Sequence, residues 1–309
     1  MLRTCLGFLD YSEWEGIWVA IDIQKVDTER DLLGEGPLWD PQDGVLYWID
    51  SNGCHIRRLD PISGEVQNRP VLEQIGSMAL RESGGAVIAL KSGFHFFDFG
   101  TGIATPIIDP EPGEERTRFN DGKVDRQGRF LAGSMDMPGN NDLRGSLYRL
   151  DPDLKVSKLR ENIGVSNGPC FSPDGTTFYF ADSSRQMIWA YDYDGETGDV
   201  SNMRTFIDLE PFDAVPDGAT VDAAGCLWSA LVTRGQIGCF SPAGELMRTV
   251  DVPSDHPSSV MFGGADLDVL YVTSIWEWRQ VKTENEVDGH LIAIHGLEAT
   301  GLPERRFAG

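Results

Sequence analysis

From about Glu35 onward, short apolar runs alternate with tight turn signals, and the alternation itself recurs. The stretch EGPLWDPQDGVLYWIDSNGCHIRRLDPISGEV, beginning at Glu35, reads strand, turn, strand, turn, strand, with turn residues at 41–44, 51–53 and 61–64. The same succession returns from Asn120 (NDGKVDRQGRFLAGSMD, then GSLYRLDPD), from Asn167 (NGPCFSPDGTTFYFADSSRQMIWAYDYDGETG) and from Asp217 (DGATVDAAGCLWSALVTRGQIGCFSPAGE). Two weaker copies begin near Gly76 and Pro257. Six copies at a period of roughly 40–50 residues, each with three or four short strands, predict an all-β fold, a six-bladed β-propeller. A blade of that size cannot bury both faces alone; a ring of blades buries them and leaves a central channel. The run VAIDI at 19–23 precedes the first copy. It is expected to be an N-terminal strand that closes the last blade, leaving no free edge. Residues 1–15 match no later pattern and read as a loose N-terminal extension, and 16–309 as a single propeller domain without linkers. A pair of β-sandwiches is the alternative, but it would not explain the regular period.

Composition narrows the partners. With 26 Lys and Arg against 49 Asp and Glu, the net charge is −23, a field that repels nucleic acid and anionic membranes. The 35 glycines suit frequent tight turns. Five cysteines, an odd number with no CxxC, suggest neither a disulfide framework nor a zinc site and fit a reducing cytoplasm; Cys170 and Cys226 sit in apolar strand patterns and read as small core residues. The N-terminal apolar run is short and broken by Asp10, Glu13 and Glu15, unlike a secretory signal, and nothing approaches a transmembrane span. Nothing in the sequence specifies an oligomeric state.

The copies also align at their entrances. Glu35, Asn120, Asn167 and Asp217 each lie five residues before the residue that opens the first turn, respectively Asp40, Asp125, Ser172 and Asp222. In a propeller the first strand of each blade lines the channel, so these four side chains should converge at one mouth. The equivalent places in the weaker copies, near Gly76 and Pro257, carry no ligand atoms. Any one Asn-Gly or Asp-Gly pair is explained by turn chemistry. Four polar residues at one register, including Glu35, a poor turn former, point to function. Two carboxylates brought together in a channel repel each other, and a divalent cation removes that repulsion. Carboxylate and amide oxygens without His or Cys describe a hard-cation site for Ca²⁺, Mg²⁺ or Mn²⁺, with Zn²⁺ tolerated. An open site of this kind can polarise a carbonyl and activate water. Arg118, two residues before Asn120, is a candidate donor at the mouth. The five histidines show no metal spacing; His95 reads as structural, and His256, just before the sixth first strand, is a possible rim residue.

The segments LGEGPLWD, RFNDGKVDRQGRFLAGSMD, SNGPCFSPDGTTFYFAD, PDGATVDAAGCLWSAL and FGGADLDVLYVTS resemble the SMP-30/gluconolactonase/regucalcin family, from about Leu33 to the closing GLPERRFAG. The resemblance implies a six-bladed propeller with one divalent cation at the channel mouth. It implies metal ligands at Glu35, Asn167 and Asp217, with Asp217 also the general base, and substrate contacts from Arg118 and Asn120. The implied activity is hydrolysis of sugar lactones of pentonolactone or gluconolactone type to aldonic acids, with a small-molecule sugar lactone as partner and neither nucleic acid nor membrane. The alternatives are a promiscuous metal-dependent esterase or phosphotriesterase, and a non-catalytic calcium-binding propeller. One segment departs from the family: animal members look to carry a sugar-reaching glutamate where this chain reads GSMDMPGNND, with Pro138 at about that place and Asp136 nearby. Substrate preference therefore does not carry over, and bacterial pentose aldonolactonases look closer here.

Overall fold

The computed structural model describes residues 20–26, 29–137, 142–278 and 281–309. Six four-stranded antiparallel sheets follow one another along the chain, with inner strands Gly34–Asp40, Ile75–Leu80, Thr117–Val124, Ser166–Phe171, Pro216–Val221 and Pro257–Gly263. In the first five blades the strands are neighbours in sequence order. In the sixth, the outermost strand is the N-terminal segment Asp22–Lys25, which pairs antiparallel with Ile292–His295. The six-bladed propeller with an N-terminal closing strand is thus the observed fold. That strand lies slightly later than the expected 19–23, of which Val19 is outside the described residues, as is the whole 1–15 extension.

The strand VLYWID (Val45–Asp50) shows why these sequences need a ring. It is buried at every position. Val45, Tyr47 and Ile49 pack into a cluster with Ile75, Met78 and Ile88 of the second blade, while Leu46 and Trp48 pack with Met261 and Tyr271 of the sixth. Alternate side chains leave a strand on opposite faces, so a strand with a neighbour on each side must be apolar throughout. Six such clusters occupy the six blade interfaces, and the core is therefore a ring of interfaces around the channel.

The residues used to align the copies have a physical role at the far end of each inner strand. Asp40, Asp125 and Asp222 accept the backbone N–H two residues on, at 3.1, 2.9 and 2.9 Å, closing the turn into the second strand. The turn glycines Gly44, Gly128, Gly175 and Gly225 then take positive φ, between 65° and 87°.

The chain's last residues cross this end of the ring. Arg306 Nη2 donates to both carboxylate oxygens of Asp40 at 2.7 and 2.8 Å, Phe307 donates to the Leu80 carbonyl at 2.8 Å, and Ala308 donates to that of Gly128 at 3.0 Å. Three blades are thereby tied together, with the Phe307 ring fully buried among Phe94, Phe130 and Val124. The described cysteines are free; Cys170 is a buried core residue, and Cys226 is half-buried, packed against the core cluster of the fifth and sixth blades and bordering a surface groove. Among the described residues no helix is long and apolar enough to cross a membrane.

Phe307→Ala leaves a cavity at the junction of the tail and blades, so it is expected to lower unfolding free energy by about 3–4 kcal/mol. Urea unfolding checks this as a lower midpoint with an unchanged slope.

Candidate active site

The four mouth residues do converge. Glu35, Asn120, Asn167 and Asp217 are all buried and all line one cavity of about 190 Å³ at the start of the inner strands, together with Arg118. Every inner strand loses register near this end, at 35/38, 75/77, 119/122, 167/170, 216/219 and 257/259. Such bulges bend a strand and re-aim its side chains. In GEGP and SNGP the residue after the mouth residue is a glycine at φ +52°, a conformation that favours glycine. In the second blade the equivalent place is Gly76, where a Cβ would lie 2.4 Å from the Phe119 backbone. That blade gives its side-chain space to the neighbouring strand and contributes nothing to the mouth.

A directed chain of hydrogen bonds orients the amides. Arg118 Nη1 donates to Asn120 Oδ1 at 2.9 Å, Asn120 Nδ2 to Asn167 Oδ1 at 2.7 Å, and Asn167 Nδ2 to Ser183 Oγ at 2.7 Å. Ser183 Oγ then donates to the carbonyl of Pro216 at 2.6 Å. The chain starts at a group that can only donate and ends at one that can only accept, so each amide has one permitted orientation. Asn167 consequently keeps its oxygen, not its nitrogen, on the Asn120 side. Asn120 Nδ2 also donates to the Ser166 carbonyl at 2.8 Å, which uses both of its protons. What Asn120 can offer a ligand is the second lone pair of Oδ1, as an acceptor.

The carboxylates are under strain of charge. Glu35 is held well above the ordinary carboxylate range, first by burial and then by the charges of Asp217 and Asp121. Asp217 is pushed the same way by burial and by Asp121, against the Gly218 N–H and Arg118, and its Oδ1 is buried without a hydrogen-bond partner. Asp121, which the sequence reading passed over, accepts the N–H groups of Gly122 and Gly168 at 2.7 and 3.0 Å. Burial still raises it to about 6. Among the described residues no three His, Cys, Asp or Glu side chains are placed to share a metal ion. The donors on hand are two carboxylates and one oriented amide oxygen. That set fits a hard divalent cation, which would relieve the repulsion and give Asp217 Oδ1 a partner.

Other sequence candidates fall outside the cavity. Asp136 is buried against Arg116, whose Nη2 lies 3.0 Å away, and does not line the cavity; its neighbour Met135 does. Pro138 lies outside the described residues. His256 is set behind the wall, with Nδ1 3.3 Å from the Val232 carbonyl, and His95 is buried with Nδ1 3.0 Å from the Gly93 carbonyl. Ser183 was missed because it sits in the turn after the second strand of its blade, where SSR reads as an ordinary surface turn.

Known proteins share this architecture. The family model for the SMP-30/gluconolactonase/LRE-like region matches residues 33–276. The chain is 36% identical over 302 residues to regucalcin of Xenopus laevis, covering 94% of this chain and 99% of that protein. It is also 36% identical over 291 residues to 6-deoxy-6-sulfogluconolactonase of Pseudomonas putida, covering 93% and 99%. Among solved structures, a calcium-binding protein, regucalcin, from Agrobacterium tumefaciens superposes with a TM-score of 0.86 at 28% identity, over 92% of this chain and 96% of that one.

Without a cation, the raised Glu35 and Asp217 favour the fold below the ordinary carboxylate range, and that contribution is lost as pH rises through their folded values. A bound cation favours the ionised pair instead. The rise in Tm on adding Ca²⁺ or Mn²⁺ is therefore expected to be negligible near the acid end of the carboxylate range and to grow toward neutral pH. Thermal shift measured against pH, with and without chelator, reads this directly.

Proposed function

The chain belongs to the SMP-30/gluconolactonase/LRE-like family, and on that premise we propose that it hydrolyses small sugar-type lactones to their hydroxy acids at the channel mouth. One observation carries the reading: two buried, mutually repelling carboxylates from different blades, Glu35 and Asp217, share a cavity with an amide oxygen held in a single orientation. Glu35, Asn167 and Asp217 would hold one divalent cation. When bound, such an ion neutralises the carboxylates, polarises an ester carbonyl and lowers the pKa of adjacent water.

The chain's own groups do the rest. Asp217 accepts a proton as water adds to the lactone carbonyl carbon. The ring C–O bond then breaks, and its oxygen leaves as the hydroxyl of the open acid once it takes up that proton. Arg118 donates to a substrate oxygen, and Asn120 Oδ1 accepts from a hydroxyl. Sugar lactones, pentonolactone or gluconolactone, supply both partners on one ring. A calcium-binding propeller without turnover is the second reading, favoured by the regucalcin relatives.

Asp217→Asn keeps an oxygen ligand but removes the base, so kcat should fall about 10²–10⁴-fold with the fold intact by circular dichroism. Near-normal turnover in that variant would move the base to another group. Chelation should abolish hydrolysis, with restoration by Ca²⁺, Zn²⁺, Mn²⁺ or Mg²⁺ to different degrees; full activity in metal-free protein refutes the metal-dependent mechanism. A panel of arabinono-, xylono-, galactono- and gluconolactone beside an unsubstituted γ-lactone separates the readings. Sugar lactones should lead, and Arg118→Ala should erase the lead. Cation binding with no turnover on any of them would favour the scaffold.

A further inference from the structure

The cavity has a polar floor and an apolar upper wall, and one register generates both. Side chains two residues apart leave a strand on the same face. Two residues before Glu35, Asn120, Asn167 and Asp217 stand Leu33, Arg118, Val165 and Val215, and all eight line the cavity. Among the described residues Arg118 is the one polar member of this second tier. Val232 and Ile275 extend the hydrocarbon surface, and Trp278 flanks it. Val165, Val215 and Val232 are only half-buried, so the packed core does not consume them. The two serines in the lining send their hydroxyl protons elsewhere: Ser183 to the Pro216 carbonyl at 2.6 Å and Ser184 to Asp182 Oδ1 at 2.7 Å.

A fully hydroxylated sugar lactone matches the Arg118 side of this cavity and mismatches the other. A hydroxyl pressed against Val215, Val232 and Ile275, which come from the fifth and sixth blades, loses water and finds no partner there. A methyl or methylene at the same place gains by leaving water. We propose that this wall receives an apolar substituent, so that the preferred substrate is a lactone deoxygenated or alkylated on the side remote from Arg118. The proposal rests on the lactonase reading and narrows it to an amphipathic lactone: hydroxyl-bearing toward Arg118 and Asn120, hydrocarbon toward the valines.

The test compares matched pairs on the cation-loaded full chain. A 6-deoxyhexono-1,4-lactone is expected to exceed its 6-hydroxy counterpart in kcat/KM by about fivefold or more. γ-Lactones bearing longer alkyl chains should gain about two- to threefold per methylene over the first few carbons. Val215→Thr and Val232→Thr keep the shape but add a hydroxyl, and both are expected to compress these ratios. Equal or reversed ratios, or ratios untouched by the threonines, overturn the proposal while leaving the lactonase reading standing. If no lactone is turned over, the lactonase reading fails, and the wall is judged by NMR titration with 2-alkyltetrahydrofurans, which cannot be hydrolysed. Affinity that climbs with chain length and weakens in Val232→Thr supports the apolar wall; a flat series overturns it.

Discussion

Each blade exposes two apolar faces, and everything else follows from the need to cover both. The alternate residues of Val45–Asp50 go to different neighbours, and among the described residues each of the six four-stranded sheets packs an apolar cluster on both of its faces. Only a closed ring satisfies that demand for all six sheets at once. The pairing of Asp22–Lys25 with Ile292–His295 completes the last sheet, and the tail from Arg306 to Ala308 ties the ring across three blades. Closure leaves a channel where six inner strands approach one another. Polar side chains that reach its mouth are held apart from water and from the ladder, which is the setting in which ionisable groups acquire unusual properties.

The mouth is organised by two devices of different kinds. Bulges decide where side chains point: Glu35 and Asn167 are each followed by a glycine at φ +52°, and the ladder resumes only at Leu38 and Cys170. The hydrogen-bond chain from Arg118 to the Pro216 carbonyl decides which atom of each amide faces which way. It runs through three successive blades, so the ring's rigidity is passed to the orientation of Asn167. The carboxylates have no comparable support. Asp217 Oδ1 is the buried atom of the site left without a hydrogen-bond partner, and it lies where charge is already in excess.

The sequence exposed the ring and its entrance because both depend on local spacing. Turn closure by Asp40, Asp125 and Asp222 fixes where each inner strand ends, and counting back five residues reaches the mouth. What spacing does not carry is the identity of partners. Ser183 enters the site from a turn in the interior of its blade, beside Asn167 only after the fold forms. Asp136 has the right chemistry near the right place, yet its carboxylate turns to Arg116, because adjacent residues of a strand face opposite ways and Met135 takes the cavity side. The spacing that places Asn120 at the mouth does not carry the fact that both of its amide protons are spent on Ser166 and Asn167. A strand pattern specifies a face; hydrogen-bond saturation within that face is settled by contacts distant in sequence.

The two tiers of the cavity are therefore under unequal constraint. In the floor, each amide is locked by a donor on one side and an acceptor on the other, and each carboxylate feels the charge of the next. Replacing one of these residues disturbs all of them. In the second tier Leu33, Val165 and Val215 make contacts that depend on shape and hydrophobicity alone, which tolerate exchange so long as volume is kept. Arg118 belongs to both tiers, as the first donor of the chain and as the polar point of the wall. A propeller of this kind can thus change what it selects by altering residues two positions before the mouth while its reacting groups stay fixed. Among the described residues that tier is hydrocarbon everywhere but at Arg118, so the wall above the fixed floor offers a charged donor on one side only.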